Sequence, residues 1–202
     1  MKTLKIVGIV GFAAMMTGCV PGWARQNATG IIMEIAGINR GGVAGPLRSD
    51  VVPDINDDAV VTVNIYRKNP TVTATSALEH VRLESYAVRY FRTDGHSVEG
   101  VDVPHRITGA LNSIRLHTPT ETGEIEVDAV ITIVRQQAKH EAPLVNLVGN
   151  HVASTGSLIV PGQFVITTIA EITVYARQVT TGEPLSATGQ VEVTFADFAN
   201  AQ

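Results

Sequence analysis

Cysteine is nearly absent: the chain of 202 residues holds one. A single thiol excludes an internal disulfide and every metal site built from several cysteines. Charge is sparse as well, at 17% of residues, with a formal net charge of -4. A surface that reads nucleic-acid phosphates needs clustered Lys and Arg, so this balance gives nucleic-acid binding no support. So little charge on an apolar chain also argues against a long disordered region. Aromatic residues make up only 5%, with one tryptophan. Abundance lies elsewhere: Val, Ile and Thr together are roughly a third of the chain, a bias toward strands over helices. The length suits one domain, or two small ones at most.

The amino terminus carries two lysines, Lys2 and Lys5, followed by an apolar run from Ile6 to Met16. That run is shorter than the about 20 residues a membrane-spanning helix needs, and the pattern is that of an export signal. The sole cysteine falls where such a signal would be cut. Met16-Thr17-Gly18-Cys19 resembles the lipobox of bacterial lipoproteins: an apolar residue, two small residues, then cysteine. The resemblance implies a diacylglycerol thioether on Cys19 and removal of residues 1–18 as a signal peptide. Cys19 would then be the first residue of the mature chain. Methionine stands where leucine is commoner in the family. Val20, rather than aspartate, follows the cysteine, which in the enteric sorting pattern implies the outer membrane. Loss of Lys2 and Lys5 with the signal would lower the formal charge from -4 to -6.

Residues 19–29 read as the lipidated cysteine and a flexible tether, with a proline, polar residues and no apolar period. Ten such residues reach at most about 35 Å. Trp23 lies in this tether and is expected either at the headgroup level of the bilayer or against the base of the domain.

From Gly30 onward the apolar pattern has period two, the signature of strands with one wet and one buried face. Val61, Val63 and Ile65 alternate with polar neighbours, and Tyr86, Val88 and Tyr90 share a face that reads as core. Ile125, Val127, Ala129, Ile131 and Ile133 are expected to be buried, opposite Glu124, Glu126 and Asp128. Val165–Gln178 and Gln190–Phe195, joined through Thr181-Gly182, read as a terminal hairpin. Asp94-Gly95 predicts a tight hairpin between Tyr90–Arg92 and Val98–Val103. Arg135–Val148 is interrupted by Pro143 and is expected as a loop with at most one helical turn. The whole reads as an all-β fold, residues 30–202, in which about seven to nine strands form a two-sheet antiparallel sandwich, with a closed barrel as the alternative.

The domain is similar to small, uncharacterised lipoproteins with immunoglobulin-like β-sandwiches. The stretches Tyr86–Gly95, Gly100–Pro104, Glu141–Leu144, Thr167–Thr173 and Phe195–Phe198 carry the likeness. It implies the fold and no activity.

Chemistry is scarce. None of the six histidines has the spacing of a metal-ligand pair, and His140-Glu141 lacks the second histidine of a zinc-protease helix. No serine sits in G-x-S-x-G, and neither a P-loop nor G-x-G-x-x-G occurs. Asp54, Asn56 and Asp58 offer oxygens at alternate positions, as at the start of a calcium loop. Ala59 and Ile65 then stand where that loop needs glycine and glutamate. These three form the candidate metal site, and a solvated loop is the competing reading. Glu121, Glu124, Glu126 and Asp128 form a second acidic strip, read as the wet face of a strand. The exposed aromatic platform that sugar binding requires is missing.

The sequence therefore predicts a non-enzymatic, membrane-anchored envelope lipoprotein that binds or scaffolds another envelope protein through strand edges or end loops. No catalytic residue and no cofactor are expected beyond the lipid. A small-ligand or calcium-binding envelope module is the alternative.

Overall fold

Alternation of apolar and polar side chains commits most of the domain to extended backbone, and the pairing of those strands makes two sheets. The computed structural model describes residues 30–40, 43–68, 80–115, 124–149, 151–152 and 165–198. The expected signal peptide, Cys19, the expected tether with Trp23, and Glu121 lie outside the described residues. Ten strands occur among those described: β1 (Ile31–Arg40), β2 (Val43–Ala44), β3 (Leu47–Asp50), β4 (Asp57–Arg67), β5 (Val81–Phe91), β6 (Ile107–Arg115), β7 (Glu124–Val134), β8 (His151–Val152), β9 (Ile166–Gln178) and β10 (Pro184–Phe198). One sheet has the order β2-β1-β4-β7, and the other runs β3-β10-β9-β5-β6 with β8 also on β10. The fold is an all-β sandwich.

The expected faces hold. Val61, Val63 and Ile65 of β4 and Val127, Ile131 and Ile133 of β7 are buried against Val88, Ile172, Val174 and Phe195 of the other sheet. A turn of helix, α1 (Gln136–Lys139), and a 3-10 turn (Leu144–Leu147) follow β7, and Leu144 and Leu147 are buried. The terminal hairpin is present, with β10 starting earlier than its apolar pattern, at Pro184. Proline is tolerated as the first residue of an edge strand because no ladder bond is asked of its nitrogen.

Two expectations differ. Val98–Val103 is no strand: apart from one bridge between Glu99 and Val103, it is a compact loop. The Val98 carbonyl accepts N–H groups from Val101 and Asp102, the Asp102 carboxylate accepts the Val98 N–H, and Ser97 Oγ accepts the Arg92 N–H. These local side-chain acceptors outcompete a ladder, and β5 pairs with β6 instead. The pairing is also not wholly antiparallel, since β3 and β8 run parallel to β10. The chain reaches β3 by crossing from the first sheet to the second after β2, which is no hairpin, so nothing forces opposed directions.

Two tyrosines tie the sheets together. Tyr90 packs edge-on against Phe195, centroids 6.0 Å apart, and its hydroxyl donates to the Ile133 carbonyl of the facing sheet. The Tyr86 hydroxyl accepts the Thr132 N–H at 3.1 Å. The Tyr86 ring lies directly over Gly109, where an added Cβ would meet ring carbons at 2.3 Å and 2.4 Å. Gly109→Ala should push that ring aside, break the bond to Thr132 and destabilise the domain by about 1–3 kcal/mol in denaturant unfolding.

Burial, and secondarily the charge of Asp57, push the Tyr90 phenol well above its ordinary value near 10.0. The folded state keeps the phenol neutral, whereas the unfolded chain ionises it at that ordinary value. The contribution of this phenol to stability is therefore constant below about pH 10 and falls as pH rises beyond it. Tyr90→Phe should cost about 1–2 kcal/mol at neutral pH through the lost hydrogen bond. Its deficit against the parent protein should narrow above about pH 10 in chemical denaturation.

Candidate functional site

A sandwich has two seams where strand edges of its sheets face each other. Here β6 lies across from β7, and β1 from β10. The first seam is stitched by side chains: Tyr86 takes the Thr132 N–H, Tyr90 reaches the Ile133 carbonyl, and Arg135 donates to the Thr108 carbonyl at 2.8 Å. The second seam is covered over part of its length. β2 pairs with β1 only at Asn39 and Arg40, β3 with β10 only from Val193 to Ala196, and β8 with β10 at Asp197 and Phe198.

Two hydrogen bonds fix which way the β10 backbone faces. Gln178 N–H donates to the Glu183 carbonyl, so odd-numbered residues of β10 turn their backbone groups to β9. Val51 N–H donates to the Ala196 carbonyl, so even-numbered residues turn theirs to the seam. The N–H and C=O groups of Thr188, Gln190 and Glu192 thus face outward. No strand pairs with β10 there among the described residues. Across the seam, the bond from Lys68 N–H to the Gly30 carbonyl sets the parity of β1, and Met33 and Ile35 face outward before the bulge between Ile35 and Gly37.

Between these edges lies a groove of about 420 Å³ lined by Ile35, Gly37 and Ile38 on one side, Gly189 and Val191 on the other, and Pro46 at one end. Gly189 lets the sheets converge: a Cβ there would stand 2.9 Å from Ile35 Cγ2. Ile35, Ile38 and Val191 are partly buried on the main core and give the groove an apolar floor. The outer face is polar and cross-braced, Thr188 with Thr173 at 3.1 Å and Gln190 with Glu171 at 3.4 Å. Residues 187–191 carry no lysine, proline or bulge, the devices that usually blunt an edge.

The residues singled out from sequence lie elsewhere. Asp54 is exposed and bonded to His140 Nε2 at 2.7 Å, Asn56 Oδ1 accepts the Gln136 N–H at 2.8 Å, and Asp58 accepts the Thr132 hydroxyl at 2.8 Å. Each of the three serves a different protein donor. The bond from His140, then that from Gln136, holds the Asp54 carboxyl below its ordinary range. No group of three or more His, Cys, Asp or Glu side chains gathers among the described residues. Glu126 and Asp128 are exposed on β7, and Asp128 accepts the Thr62 hydroxyl. Tyr86 and Tyr90 are core residues, as their shared face with Val88 requires.

Sequence reasoning missed Asp57, which is 2% exposed. A signal existed: Asp57 has the parity of Ala59, Val61 and Val63, so the alternation that buries them buries it. The open seam left no local signal, because it depends on which strands are neighbours. No protein-family model matches the chain, and a comparison with curated proteins finds no match.

Replacing Gln190 by proline removes an N–H that faces the seam, whereas Val191→Pro removes one bonded to β9. Gln190→Pro should retain a cooperative fold, and Val191→Pro should lose about 3 kcal/mol or more, read from thermal melts.

Proposed function

We propose that this chain is a membrane-anchored lipoprotein of the bacterial envelope that works without catalysis, by accepting an extended segment of another envelope protein along the open edge of β10. The observation that carries the binding half is the outward row of backbone groups at Thr188, Gln190 and Glu192 beside an apolar groove. Strand addition draws affinity from main-chain hydrogen bonds and specificity from pockets for alternate side chains. The groove floor of Ile35, Ile38 and Val191 supplies such a pocket, which favours a segment with apolar residues at alternate positions. The anchoring half rests on the lipobox resemblance at Met16-Thr17-Gly18-Cys19. Val20 supports the outer membrane as its destination.

Both halves are testable. Cys19→Ser should abolish incorporation of labelled fatty acid and move the protein from the membrane to the soluble fraction. Continued fractionation with lipid would refute the anchor. A photocrosslinker at Thr188 or Gln190 should capture one discrete partner in intact envelopes, and a crosslinker at Arg89, on an exposed sheet face, should not. Gln190→Pro, with the crosslinker at Thr188, should remove the adduct. Equal capture from both positions would refute binding at the edge.

A further inference from the structure

The groove beside β10 is closed at one end, and its single charged side chain sits there. From Val193 onward the place next to β10 is filled by β3, with Leu47 opposite Val193 and Pro46 before it in the groove wall. A segment laid along Thr188, Gln190 and Glu192 therefore has no straight continuation past Glu192. Its backbone starts at that point, stops there, or leaves the plane of the sheet.

Glu192 is the one charged residue among those lining the groove. It is exposed, stands opposite Ile169 of β9, and has no hydrogen-bond or ion-pair partner among the described residues. The neighbouring acid on that face is neutralised: Glu171 meets Arg89 at 3.1 Å and Gln190 at 3.4 Å. Arg48, opposite Thr194, carries its guanidinium the other way along β10, 5.7 Å from the centre of the Phe198 ring.

The two strand directions bring opposite charges to this closed end. A strand parallel to β10 would stop at Glu192 with its carboxy terminus, setting one carboxylate against another, and like charges placed opposite each other are destabilising. An antiparallel strand would start there with its amino terminus. An α-ammonium has three N–H groups, so one can enter the ladder at the Glu192 carbonyl while another reaches the Glu192 carboxylate.

Resting on the reading of this edge as a strand acceptor, we infer that the groove takes the free amino terminus of its partner, antiparallel to β10. The first residue lies opposite Glu192, the third opposite Gln190 and the fifth opposite Thr188. Directly opposed residues share a face, so the second and fourth side chains turn inward beside Val191 and Gly189. Both are apolar in a fitting partner, because Ile35, Ile38 and Val191 form the floor there. The partner is thus an exported protein whose α-amine, exposed by removal of a signal peptide, stays unacylated.

The photocrosslinked adduct at Thr188 from intact envelopes, mapped by mass spectrometry, should lie within about the first seven residues of the partner's mature chain. A site in the partner's interior would overturn this inference and leave the edge reading standing, and absence of a discrete adduct would overturn both. A heptapeptide with valine at its second and fourth positions gives the second test. Titrated into the purified protein at about pH 6.5, where an α-amine is protonated, it should shift the amide resonances of Gln190 and Glu192. Its acetylated form should bind about fivefold or more weakly. Glu192→Gln should weaken the free-amine peptide by about threefold or more and leave the acetylated one unchanged. An acetylated peptide that starts with lysine carries the same charge on a side chain and should stay weak. No binding of the free-amine peptide, equal affinity of the free and acetylated forms, undiminished binding in Glu192→Gln, or full recovery by the lysine peptide would each overturn the inference.

Discussion

Every backbone N–H and C=O along the seams of a sandwich has to find a partner, and most of this fold follows from how unequally its two seams meet that demand. At the β6–β7 seam the partners are side chains, two from the core and one, Arg135, from the surface. Two phenols and one guanidinium reach across, and each needs space that the opposite strand must leave. Gly109 leaves it for Tyr86. The same hydroxyls that close the edge also lock the sheets face to face, so closure and packing there are one interaction. At the β1–β10 seam the chain uses backbone: short strands β2, β3 and β8 are laid onto the edges where the chain crosses between sheets. Those patches are two to four residues long and cover only the far ends of β1 and β10. The middle of β10 is left with outward groups and an apolar floor.

How much of this could be read beforehand depended on the range of the interaction. Period-two burial is local, so β4, β7 and the β9–β10 hairpin were legible from residues such as Val61, Ile131 and Val193. Val98–Val103 misled because its alternation is strand-like while its backbone is claimed by the Asp102 carboxylate and the Val98 carbonyl, and no period count registers such competition. The parallel β3 was invisible for another reason: Leu47–Asp50 does not say which sheet it joins. Of the candidate site, Gln190 and Glu192 were recognised as part of a strand but not as an edge, since edge status belongs to the set of neighbours. Asp57 stood in an acidic run with Asp54 and Asp58, and the run suggested water. Only the parity it shares with Ala59 separates it from them.

The buried charge bears on the fold as well. An isolated carboxylate or ammonium inside a sandwich would lose its charge or unfold its surroundings. Asp57 and Lys139 avoid this by meeting each other at 3.2 Å, and both lie where elements end: Asp57 opens β4, and Lys139 closes α1. The pair thus fastens the loop before β4 and the turn after β7 to the same point, with Pro53 as a further acceptor. Removing one partner strands the other, and for a buried pair that loss is on the order of 3–5 kcal/mol. The pair sets the position of this end of the sandwich more than it adds net stability, because desolvating both ions opposes much of their attraction.

As the proposed binding site, an edge of three outward residues would be weak in free solution. Ordering a partner strand costs about 1–2 kcal/mol of backbone entropy for each residue fixed, against a net of about 0.5–1.5 kcal/mol for each hydrogen bond made. The apolar floor beneath Val191 improves the balance without reversing it decisively. Anchoring changes the terms. On the proposed lipidation, a tether of about ten residues keeps the domain within about 35 Å of its bilayer. A partner confined to the same surface then meets the edge at high effective concentration, and ordering costs that defeat association in solution no longer do so. The lipid would supply proximity, β10 the hydrogen bonds, and the groove the choice of segment. On this proposal none of the three would suffice alone, and together they would give a chain so poor in chemical motifs a specific task.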